Sequence, residues 1–134
     1  MLRTVVPALL VPLLCPGCCL LSTPRTGTVD HELEMFVFGA VNCHRAQMGL
    51  ETLEWSESVA MVCRGHCRDM SSGAREIGHG GMDFRVLMVE LMLNVTSYRE
   101  NVSAVQGGEH PASCAYATWL DSRTHRRNIE GEAT

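Results

Sequence analysis

Three short stretches of this chain carry the residue types that could do chemistry. Trp119-Leu120-Asp121-Ser122-Arg123-Thr124-His125-Arg126-Arg127-Asn128-Ile129 closes a helix and then sets one histidine in a short polar loop beside arginines. Gly78-His79-Gly80-Gly81 holds a second histidine, and Glu100-Asn101-Val102 holds a carboxylate. Two neutral imidazoles ligate zinc well at about 2.0–2.1 Å, and a carboxylate plus a water completes an open four-coordinate site. Composition alone does not bring three separate loops to one point. Only a fold can do that.

Other chemistries fit less well. No His-Glu-x-x-His helix is present, and Glu100 cannot serve both as a metal ligand and as a general base. Ser122 and His125 lie close in sequence, but no nucleophile elbow surrounds Ser122. A plainer reading stands beside these: His79, Glu100 and His125 form a hydrogen-bonded network that braces three loops. His66 sits on an apolar helical stripe, where a histidine is more often a hydrogen-bonded core residue than a ligand. Met61, Met70, Met82, Met88 and Met92 read as core gap-fillers rather than a metal-binding tract.

The 134 residues suit one domain, and the net charge of -4 gives no field for nucleic acid. Met1-Leu2-Arg3 followed by the apolar run Val5 to Leu21 reads as a secretory signal over residues 1–23, with residues 24–30 a linker. Pro7, Pro12 and Pro16 break that run, so no stable membrane span is expected. After the signal, Cys43, Cys63, Cys67 and Cys114 remain, an even number in an exported chain. Two readings stay open: a bridge from the Cys63/Cys67 helix to Cys43 or Cys114, or four small hydrophobes.

The elements that must position these residues follow from periodicity. Asp30 is placed to cap a first helix whose stripe is Leu33, Phe36, Val37, Ala40, Val41, His44 and Met48, ended by Gly49. Asn42 and Arg45 are expected as half-buried polar anchors, and Leu53 and Trp55 as inward residues of a short extended link. Ser56 caps a second helix with Val59, Val62, Cys63, His66 and Met70 inward. Residues 71–81 form a glycine-rich loop, after which Asp83 caps a third helix with Phe84, Leu87, Met88 and Leu91 inward. A short strand or extended turn is expected over 100–105, then a loop over 106–110. Pro111 opens a fourth helix carrying Ala115, Thr118, Trp119 and Ser122 along one side. Asn94-Val95-Thr96 and Asn101-Val102-Ser103 both fit the N-glycosylation pattern; Asn94 is the usable one, since Asn101 belongs to the site motif.

Taken in order, Asn42-Cys43-His44-Arg45-Ala46, Gly49 to Trp55, His66-Cys67-Arg68-Asp69-Met70, His79, Glu100-Asn101-Val102, Trp119, Ser122 and His125 to Ile129 resemble the CAP superfamily (SCP domain). The likeness runs from about Glu34 to Ile129 and is closest in style to bacterial-type members. It implies an α+β fold, an α-β-α sandwich over residues 31–134. Family members place a strand pair after the His-x-x-x-Ile segment; this chain reads on only to Glu130-Gly131-Glu132-Ala133-Thr134, so a mostly helical domain, incomplete at its C-terminus, is expected. The resemblance assigns His79, His125 and Glu100 to a metal-binding cleft, with Asn101 beside them and Ser122 where a second acid usually lies. Zinc or another divalent cation is implied as optional. The expected function is a secreted, non-enzymatic extracellular binding module for a lipid, sterol or cell-surface protein. The alternative is a metal-dependent extracellular hydrolase or protease.

Overall fold

The computed structural model describes residues 27–95, 97–105 and 110–131, with side chains from residue 31 onward. The expected signal, the start of the linker, the loop 106–109 and the last three residues lie outside them. Five helices follow in order: α1 (Gly27–Gln47), α2 (Glu57–Ser71), α3 (Met82–Leu93), α4 (Pro111–Asp121) and α5 (Arg123–Glu130). The mostly helical character expected from the sequence holds. Among the described residues there is no strand: Tyr98 and Val105 are isolated bridge positions, and of the short strand or extended turn expected over 100–105 the strand is not formed.

The first helix buries Glu34, Val37, Val41 and Arg45, while Phe36 and Met48, expected on its inner stripe, are exposed. A charge can hold a buried position only when paired, and both are. Arg64 of α2 donates from Nε and Nη2 to the two oxygens of Glu34, each at 2.6 Å. Arg45 donates to the carbonyls of Glu51 (2.7 Å) and Ile129 (2.6 Å). With charges anchoring both ends, the buried face is offset from the apolar stripe. The helix also begins at Gly27, so Asp30 lies within it and is not its cap. Asn42 brackets Leu53, accepting from its N–H at 2.7 Å and donating to its carbonyl at 3.1 Å. The inward link is thereby stitched to α1.

Ser56 caps α2 by accepting from the Val59 N–H, and Val59, Cys63, His66 and Met70 face inward as expected. The expectation for α3 fails. Its N-cap is Gly81, at φ 74°, rather than Asp83, and its buried residues are Arg85 and Val89. Phe84 (64% exposed), Leu87, Met88 and Leu91 (75%) face outward. Met82-Asp83-Phe84-Arg85-Val86-Leu87-Met88-Val89-Glu90-Leu91-Met92-Leu93 is apolar on nearly every side, so periodicity could not choose a face. Arg85 chooses it, by reaching a buried carboxylate.

Pro111 is the first residue of α4, which buries Ala112, Ala115 and Trp119; Thr118, expected beside them, is exposed and donates its hydroxyl to the Cys114 carbonyl. The segment around His125, expected as a polar loop, is instead α5, stopped by Gly131 at φ 77°. Two apolar clusters result. Val59, Cys63, Met70, Val89 and Val102 join α2 and α3; Val37, Val41, Leu53, Ala112, Trp119 and Ile129 join α1, α4 and α5. All four described cysteines are free thiols, so of the two open readings the bridge from the Cys63/Cys67 helix to Cys43 or Cys114 is not formed. Among the described residues no helix is long and apolar enough to cross a membrane.

Candidate functional site

The site is built around Glu100, whose side chain has no exposed surface. Its carboxylate accepts four hydrogen bonds. Arg85 donates Nε to Oε2 at 2.7 Å and Nη2 to Oε1 at 2.6 Å; the Tyr98 hydroxyl adds 3.1 Å to Oε2, and His79 Nδ1 adds 2.9 Å to Oε1. Burial alone would raise this carboxyl, but the bonds from Arg85 and His79 outweigh it and hold it below the usual carboxylate range. Burial pulls the Arg85 guanidinium down, yet contact with Glu100 leaves it above its ordinary value. The Tyr98 phenol is pushed up by burial, then by nearby Cys63 and Glu100, so it stays protonated and donates.

The glycine-rich loop before α3 is folded onto the same network. Arg85 Nη1 also donates to the Gly80 carbonyl at 2.7 Å and lies 3.3 Å from His66 Nδ1, while His66 Nε2 donates to the Gly78 carbonyl at 2.8 Å. His66 is therefore a hydrogen-bonded core histidine, as its stripe position suggested. His79, between the two bonded glycines, keeps its side chain 48% exposed. With Nδ1–H directed at Glu100, its Nε2 lone pair remains for another partner.

The third sequence piece arrives through Asn101. Its Nδ2 donates to the His125 carbonyl at 3.0 Å, and its Oδ1 accepts from Asn128 Nδ2 at 2.8 Å; the same Asn128 amide reaches the Glu100 carbonyl at 3.3 Å. The start of α5 is thus pinned to the Glu100-Asn101 peptide. Burial, and then the nearby His79, lower the His125 pKa below its ordinary value. His125 Nδ1 is buried with no hydrogen-bond partner. Ser122 joins α4 to α5 through its backbone, taking the Arg126 N–H at 2.8 Å, and its side chain makes no capping bond. Asn94, the glycosylation candidate, is exposed at the end of α3, six residues before Glu100.

The donors present set limits on a metal. Among the described residues no group of three or more His, Cys, Asp or Glu side chains is arranged to hold one. Glu100 has spent its acceptors on Arg85, His79 and Tyr98, so it fits the outer-shell role of orienting His79 better than that of a ligand. With Glu100 so engaged, the imidazoles of His79 and His125 are what remain of the expected ligand set. Sequence reasoning missed Arg85 and Tyr98. The available signal was weak: Arg85 is the only base in an otherwise apolar and acidic helix, and shares its face with Val89.

Neither the comparison with curated proteins nor that with solved structures gives a match. The comparison with family models gives one, to CAP, the cysteine-rich secretory protein family, over residues 38–134. That span covers well over half of the chain and contains His79, Glu100, Asn101, Ser122 and His125. On that match the chain belongs to the CAP family.

Proposed function

We propose that this CAP domain acts outside the cell as a non-enzymatic binding module for a lipid, sterol or protein partner. The observation that carries the reading is the state of Glu100. A general base must be able to take a proton from substrate or water; a carboxylate with four donors, no exposed surface and a lowered pKa is a poor one. Its arrangement supports a brace that fixes the His79 loop, α3 and, through Asn101, α5. A divalent cation such as zinc, when bound, would be held by His79 and His125, with water completing its shell, and would lend the cleft positive charge. It is not required by the fold. The exposed apolar side of α3 supports an apolar partner, since contiguous apolar patches on a domain commonly mark binding surfaces.

The test is to purify the full chain and measure two things with and without a chelator. Uptake of a fluorescent fatty acid or sterol should be largely indifferent to chelation. Peptide and ester hydrolysis should stay at background. Turnover that is lost both on chelation and in Glu100→Gln would sink the binding-module reading in favour of a metal-dependent hydrolase.

A further inference from the structure

We infer that Asn94 is the N-glycan attachment site of the mature protein and that Asn101, in an equally good acceptor triplet, is not. The sequence treats the two alike: Asn94-Val95-Thr96 and Asn101-Val102-Ser103 both offer an asparagine two residues before a hydroxyl. The fold separates them. Asn94 caps α3 in the left-handed region (φ 50°, ψ 45°), and its backbone N–H donates to the Glu90 carbonyl at 2.9 Å. That bond fixes the peptide while the side chain faces solvent, and among the described residues the Asn94 amide has no hydrogen-bond partner. Asn101 is 2% exposed, and both ends of its amide are engaged by α5.

The transfer couples the Asn94 amide nitrogen to the anomeric carbon of an oligosaccharide carried on a lipid diphosphate. The N–C bond forms as the C–O bond to diphosphate breaks; the electron pair leaves with the diphosphate, and the amide gives up one proton to the transferase. The enzyme acts on extended chain, so the folded position of Thr96 does not enter and its hydroxyl is needed only for recognition. Folding then sorts the products. A sugar on Asn101 would have to occupy the space where α5 packs, and such a chain could not reach the native state. A sugar on Asn94 projects from a helix end into water, beside the exposed Leu91 and Met92, where a bulky solubilising group is tolerated.

This inference rests on the export reading, so the experiment separates the two. The full chain is expressed in cells with an N-glycosylation pathway, once with its own N-terminus and once behind the leader of an unrelated secreted protein. Protein in the medium should lose the mass of one glycan on treatment with an amidase that releases N-glycans. The shift should vanish in Asn94→Gln and in Thr96→Ala, the second leaving the left-handed asparagine untouched, and persist in Ser103→Ala, whose hydroxyl is buried without a partner. A glycan found only behind the foreign leader supports the Asn94 assignment and overturns export by the native N-terminus. Unmodified protein in the medium, or a shift that survives Asn94→Gln and Thr96→Ala but is lost in Ser103→Ala, overturns the assignment itself.

Discussion

Replacing Arg85 by leucine should be among the most damaging single changes in this domain, and acidification should partly relieve the damage. Arg85 supplies two of the four hydrogen bonds to a carboxylate with no exposed surface, and its own side chain is only 7% exposed. Removing it leaves a buried negative charge without its counter-charge, a change that costs about 3–5 kcal/mol. A domain with about 5–15 kcal/mol of stability would lose a fifth or more of it. In the wild type the Glu100 pKa is lowered, so its stabilisation is present above the unfolded value of ~4.3 and is lost as pH falls through the lower folded value. In Arg85→Leu burial is no longer outweighed, and the carboxyl should rise above ~4.3. The variant then regains stability as pH drops from 7, by at most about 1.4 kcal/mol per unit, because protonation removes the stranded charge. Urea melts of both proteins at about pH 7 and about pH 5 test this through their difference, which cancels the other titrating groups. The gap should narrow on acidification, and adding Glu100→Gln to Arg85→Leu should recover part of the loss. A gap below about 1 kcal/mol at pH 7, or one that widens at pH 5, refutes the argument that Arg85 neutralises Glu100.

Trp119→Ala should cost about 3–5 kcal/mol in the same melts, whereas Leu91→Ala should stay within about 0.5 kcal/mol, because one side chain is 1% and the other 75% exposed. Native protein at neutral pH should offer Cys43 and Cys114 to a thiol reagent, while Cys63, buried and with its thiol pushed well up by that burial, reacts only after unfolding. Zinc affinity, followed by calorimetry, should fall on acidification, because a protonated imidazole cannot ligate, and should be lost in His79→Ala and His125→Ala. Ser122→Glu should tighten zinc, one such change commonly being worth about 10–100-fold; a lower melting point with unchanged zinc affinity would count against the cleft.

Where a sequence pattern had one physical cause, it could be read. Ser56 as a cap, Pro111 as a first turn, His66 as a bonded core histidine and Asn42 as an anchor all depend on neighbours within a few residues or on a clear stripe. The failures share a different cause. The inner face of α1 is offset by Arg64, thirty positions from Glu34, and α3 is turned by Glu100, fifteen positions from Arg85. Neither partner is visible in the local hydrophobic pattern. His125 was expected in a loop because Arg123-Thr124-His125-Arg126-Arg127-Asn128 is polar throughout. It is helical because Ile129, 1% exposed, and the Arg45 bond to its carbonyl tie the turn to α1. The site pieces were legible only as family motifs, and Arg85 and Tyr98, which carry no such motif, were not.

The peptide Glu100-Asn101 touches both halves of the core with consecutive side chains. Glu100 reaches toward α3 and the loop before it, and Asn101 reaches toward α5. The α2/α3 half is stitched by contacts close in sequence, whereas the other half must close a long loop before Arg45 meets Ile129, 84 positions away. Two such halves have no intrinsic reason to melt together. One dipeptide, with the Glu34–Arg64 pair, supplies the coupling that would make their unfolding a single event. Asn101→Ala should therefore be felt less in the midpoint of denaturation than in its sharpness, with hydrogen exchange in α4 and α5 breaking away from that in α2 and α3.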